Sequence, residues 1–178
     1  MIRLSAFLLL LFAALPAQAQ DAGAVAQGFY TQWLTPPRSN GLPSPTVRAR
    51  IAPLLSQRLS QLFAQAAAAD TRFRAANRFA PSLLEGDLFS SLLDGPASFR
   101  VGACTGTAAA QRCRIQFHRP PEPKAAGPVR PADWGDDLLL VNEGGTWKVD
   151  DVDYRGGFAY GNTGLLSQTL TMLIRSAS

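Results

Sequence analysis

Apolar positions recur at helical spacing in the first half of the chain and switch to strand-like clusters after Gly95. Val25, Ala26, Phe29, Tyr30, Trp33 and Leu34 fall three and four residues apart, which predicts one helix over residues 22–34. Pro36-Pro37 ends it, because proline lacks an amide hydrogen and restrains the residue before it. Residues 35–45 then read as a loop. Thr46 is a candidate cap for a short helix to Ala52, and Pro53 suits the first position of another running to about residue 69. The buried stripe of that helix is Leu55, Leu59, Leu62, Phe63 and Ala66. From Asp70 onward Pro81, Gly86 and Gly95-Pro96 permit only short helical pieces and turns.

Residues 98–104, 111–118, 136–141 and 146–154 are rich in branched and aromatic side chains and bounded by turn residues, which is strand chemistry. Glu143-Gly144-Gly145 makes a tight hairpin between the last two. The stretch from Arg119 to Ala132, with five prolines, is a long loop between the second and third. Leu165, Leu166, Leu170, Leu173 and Ile174 form the apolar stripe of a closing helix behind the capping candidates Asn162 and Thr163. Its polar face carries almost no cationic charge, which argues against a membrane-surface role. Helices followed by antiparallel strands predict an α+β domain: N-terminal helices packed on a curved four-stranded antiparallel sheet, with a C-terminal helix.

Two strands have faces that regular alternation cannot sort. In the last, Trp147, Val149, Asp151 and Asp153 would share one face, and Lys148, Asp150, Val152 and Tyr154 the other. A one-residue bulge at Asp150-Asp151 instead gathers Trp147, Val149, Val152 and Tyr154 on one side. In the first hairpin, pairing Cys104 with Cys113 mismatches the faces unless an extra residue sits at Gly102. With it, Phe99 and Val101 join Cys104, Cys113, Ile115 and Phe117. Two nearby cysteines in an exported protein are expected to form a disulfide.

Export is expected from the N-terminus. Arg3, an apolar run from Leu4 to Leu15, and Pro16-Ala17-Gln18-Ala19 have the layout of a signal peptide cleaved after Ala19. The run is too short for a membrane-spanning helix, which takes roughly 20 residues. Residues 20–178 are then one domain of the periplasm or cell exterior, without a membrane span. The chain carries a formal net charge of +4, too mild to suggest nucleic acid. The sign changes along its length. Arg38, Arg48, Arg50, Arg58, Arg72, Arg74 and Arg78 crowd the first half, while Asp133, Asp136, Asp137, Glu143, Asp150, Asp151 and Asp153 crowd a later stretch. The two groups are expected to pair across the domain.

Candidate chemistry centres on the bulge. Asp150 and Asp151 are the candidate catalytic residues, as a general base or hydrogen-bond acceptor at a pocket mouth. Asp150, Asp151, Asp153, Tyr154 and Trp147 are the candidate binding set. The competing reading has these aspartates solvated or paired with the helical arginines. A calcium site from Asp150, Asp151, Asp153, Asp136 and Asp137 has the right oxygens but no calcium-loop spacing, so neither metal nor cofactor is expected. Glu85 and Asp87 read as caps of a helical turn over residues 88–92. His118, the one histidine, reads as a surface residue. Nucleophile elbows and phosphate-binding glycine loops are missing from the sequence.

Glu85-Gly86-Asp87-Leu88-Phe89-Ser90-Ser91 and Trp147-Lys148-Val149-Asp150-Asp151-Val152-Asp153-Tyr154, in this order of elements, resemble domain of unknown function 3828, a family of exported bacterial proteins. The resemblance implies a cone like that of nuclear transport factor 2 or the cystatins, in which helices are cradled by a bent sheet. Such a fold hosts enzymes and binding proteins alike. The expected function is a non-catalytic periplasmic binding or interaction protein, of inhibitor or immunity type, holding a protein partner or small ligand. The alternative is a small lyase, isomerase or hydrolase with a pocket aspartate as base. An enclosed cavity with a convergent aspartate would favour the enzyme, and a filled core the interaction protein.

Overall fold

The computed structural model describes residues 21–121 and 132–177. The leader expected before Gln20 and most of the proline-rich loop lie outside the described residues. Helix α1 (Ala22–Leu34) is capped by Asp21 and ends at Thr35, as its apolar pattern predicts. Helix α2 (Pro45–Ile51) runs into a 3-10 turn, Ala52–Leu54, and α3 (Gln57–Ala76) follows. Strands β1 (Ser98–Gly106), β2 (Ala110–Arg119), β3 (Ala132–Glu143) and β4 (Thr146–Tyr154) precede β5 (Gly164–Leu165) and α4 (Leu166–Ser176). They form one antiparallel sheet in the order β1-β2-β3-β4-β5. The sheet thus has five strands where four were expected. The fifth spans only two residues, too short for any alternation to mark.

Other departures concern helix ends. Ser44, not Thr46, caps α2, placing Pro45 in the first turn. Pro53 sits in the 3-10 turn, and α3 starts after Ser56, whose hydroxyl accepts from the Leu59 amide. Neither Asn162 nor Thr163 caps α4, which begins at Leu166.

Both expected bulges are present. Val101 pairs with Ile115 and Cys104 with Cys113, so Gly102 and Ala103 together oppose Arg114. A side chain at 102 would bring its Cβ within 3.1 Å of the Arg114 carbonyl oxygen, so the close approach suits glycine. The Cys104 and Cys113 sulfurs stand at disulfide distance, 1.96 Å. In β4, Val149 pairs with Leu140 and Asp151 with Leu139, leaving Asp150 as the extra residue. Trp147, Val149, Val152 and Tyr154 are consequently all buried.

One apolar core fills the space between the inner sheet face and the helices, with Phe29, Tyr30, Trp33, Phe63 and Phe89 at its centre. The outer face carries an ion-pair lattice. Arg112 bridges Asp137 and Asp153 at 2.8 Å each, Arg114 reaches Asp137, and Arg155 reaches Asp153. Of the sheet's acids, Asp137 and Asp153 are therefore balanced by Arg112, Arg114 and Arg155, while Asp150 and Asp151 pair with Arg58 of α3. Of the helical arginines expected to pair across the domain, Arg58 does so, whereas Arg74 pairs with Asp70 on its own helix. Among the described residues Arg48 and Arg72 make no ion pair.

Candidate functional site

The β4 bulge turns its two aspartates toward the starts of two helices. Asp150 accepts from the Ser56 hydroxyl at 2.6 Å and takes both Nε and Nη2 of Arg58 at 2.7–3.1 Å. Since Ser56 caps α3, Asp150 fixes that helix by its first turn. Burial pushes the Asp150 carboxyl up, but the Arg58 and Ser56 hydrogen bonds outweigh it and hold its pKa below the ordinary value.

Asp151, only 3% exposed, does the same for α4. Its Oδ1 accepts from the Ser167 amide at 3.0 Å and from the Val152 amide at 2.9 Å, and its Oδ2 meets Arg58 at 3.3 Å. The residue at the cap position, Leu165, has no side-chain acceptor, so a carboxylate from the neighbouring strand satisfies the helix end instead. Gln168 completes the start by accepting from the Leu165 amide. Asp150 and Asp151 thus set the relative positions of α3 and α4.

Between those helices lies a groove of about 740 Å³. One wall is the α3 stripe Arg58, Gln61, Leu62 and Gln65. The other is the α4 stripe Ser167, Gln168, Thr171, Met172 and Arg175. Both run at helical spacing. Met172 is 64% exposed, and the lining contains no acidic residue. Sequence reasoning missed this site because Arg58, Leu62 and Met172 are ordinary helix residues until α4 is laid beside α3.

Comparison with protein families, curated proteins and solved structures gave no match for this chain.

The remaining candidates face elsewhere. Asp153 and Asp137 belong to the outer ion-pair lattice, while Asp136 points inward and is wholly buried. The five acids weighed as a calcium site are therefore divided between two faces and the bulge. Trp147 is buried in the core, and His118 is exposed beside Asp133. Tyr154 donates to the Leu88 carbonyl at 2.7 Å.

That last bond belongs to a second polar cluster, inside the molecule. The expected helical turn over residues 88–92 is not formed; the segment runs as bends and turns, and Leu88, Phe89, Ser90 and Ser91 are buried in the interior. Polar groups from all sides hold it. Tyr30 donates to the Phe89 carbonyl at 2.9 Å, and the Asn162 amide group donates to the carbonyls of Asp87 and Ser90 at 2.7 Å. Asp136 accepts from the Ser91 amide, the Ser91 hydroxyl and the Arg155 amide. Asp87 accepts from Trp33 Nε1 at 2.9 Å and, through the short turn it caps, from the Phe89 amide at 2.8 Å. Burial pushes its carboxyl up to about 6, more than these two hydrogen bonds and Arg38 bring it down. A small polar cleft lined by Arg38, Asn40, Glu85 and Asp94 borders Asp87.

Proposed function

We infer that this chain is a non-catalytic binding or interaction protein of the periplasm or cell exterior, of inhibitor or immunity type. The observation that carries the reading is the filled interior. The space that would form a ligand cavity holds the chain's own segment, Leu88 to Ser91, and the inward carboxylates of Asp87 and Asp136 accept hydrogen bonds from the chain itself. Both oxygens of each carboxylate already accept at least one hydrogen bond from the chain itself. We read the fold as the plugged form of the nuclear-transport-factor-2-like or cystatin-like cone and the chain as a relative of domain of unknown function 3828. Export rests on the leader Met1 to Ala19.

The enzyme alternative falls on Asp87 rather than on Asp150 or Asp151, because a carboxyl with a pKa of about 6 beside a cleft has the poise of a general base. Both its oxygens are already engaged, which favours a structural role. The test is affinity capture from periplasmic extract with the exported form, followed by titration with the purified partner. A saturable complex supports the reading. Turnover of a small substrate that disappears in Asp87→Asn would overturn it.

A further inference from the structure

The α3/α4 groove combines two amide groups that the fold leaves unused with a small apolar surface. On the α3 wall, Gln61 and Gln65 place amide groups without a partner among the described residues, while the Thr171 hydroxyl on the α4 wall is already donated to the Ser167 carbonyl. Among the described residues Arg175 makes no ion pair, and the absence of lining acids leaves its charge uncompensated. Leu62 and Met172 supply the apolar contact. Arg58, clamped by Asp150 and Asp151, is fixed at one end.

These groups favour one kind of occupant. A partner helix satisfies its backbone internally and would offer the Gln61 and Gln65 amides only its side chains. An extended chain brings free N–H and C=O groups that those amides can pair with. We propose that the groove binds an extended peptide segment of a partner protein, its acidic side chain on Arg175 and a neighbouring apolar side chain on Leu62 and Met172. This rests on the reading of the chain as an interaction protein.

The protein is tested against an arrayed library of heptapeptides blocked at both ends, and the strongest binder is mapped by backbone amide chemical shifts. The expected binders carry Asp or Glu within two positions of Leu, Met or Phe, and move the amides of 58–65 and 167–175. Arg175→Gln and Met172→Asp should each weaken binding at least tenfold, with unfolding midpoints unchanged. Peptides that bind another face, ignore both substitutions or bind only as helices would overturn the proposal, as would a library without a binder. Concentration-dependent dimerisation abolished by Met172→Asp would also overturn it, by putting a second copy in the groove. If a captured partner binds both variants as well as the parent, the interaction reading stands and the groove assignment falls. If no partner is captured, the reading itself falls.

Discussion

The interior cluster and the α3/α4 groove use similar side chains to opposite ends. Around Leu88 to Ser91, tyrosine hydroxyls, an asparagine amide and two carboxylates are spent on the chain's own backbone. In the groove, the Gln61 and Gln65 amides and the Arg175 guanidinium border open space. Buried polar groups must find partners to be tolerated, whereas exposed ones can wait for a ligand with water as the stand-in. The bulge aspartates link the two regimes. They are saturated with hydrogen bonds, yet what they hold in place is the groove.

The comparison breaks most visibly at Asp136. Asp136→Ala leaves the buried Ser91 amide and hydroxyl and the partly buried Arg155 amide without their acceptor, so urea unfolding should show a loss of about 4 kcal/mol. Asp151→Ala removes the acceptor for Ser167 and Val152 and one contact of Arg58, for an expected loss of about 3 kcal/mol. It should also loosen α4, seen as faster amide exchange at 167–170. Equal stability of either variant to the parent would show that these carboxylates are not structural.

A smaller effect follows from Asp87, whose folded pKa of about 6 lies above the ordinary 3.8. Between those values the folded state keeps a proton that the unfolded chain has lost, so this group's contribution is full below pH 3.8 and fades as pH rises through 6. Unfolding free energy should fall by about 2 kcal/mol between about pH 4.5 and 7. Asp87→Asn should flatten that slope. Asp150, held below its ordinary value, acts oppositely: its stabilisation is lost only as pH drops below the carboxylate range. Least affected should be the groove, where Met172→Asp is expected to change stability by under about 0.5 kcal/mol because the side chain is exposed.

How far the chain could be read in advance follows from where its information is local. The bulges at Gly102 and Asp150 were legible because apolar residues on a strand must share a face, and parity alone shows where an extra residue is required. Helix α1 was legible from its period. The role of Asp151 as a cap for α4 was not, since the cap comes from a strand more than a dozen residues earlier and Leu165 gives no local sign of it. Segment 88–92 looked like a capped helical turn because Asp87 does cap a short turn. Its burial depends on Tyr30, Asn162 and Tyr154, which only the tertiary fold brings to it.

Whether the interior is permanently occupied decides between binding and catalysis most directly. Native-state hydrogen exchange of the Asp87, Phe89 and Ser91 amides, compared with Ile115 and Leu138 at the sheet centre, reads it without a ligand. All five should exchange only on global unfolding, with the same free energy. Exchange at Phe89 and Ser91 a hundredfold faster than at the sheet centre would mean that the segment leaves its place in the native state. It would open a cavity lined by Asp87 and Asp136 and contradict the account.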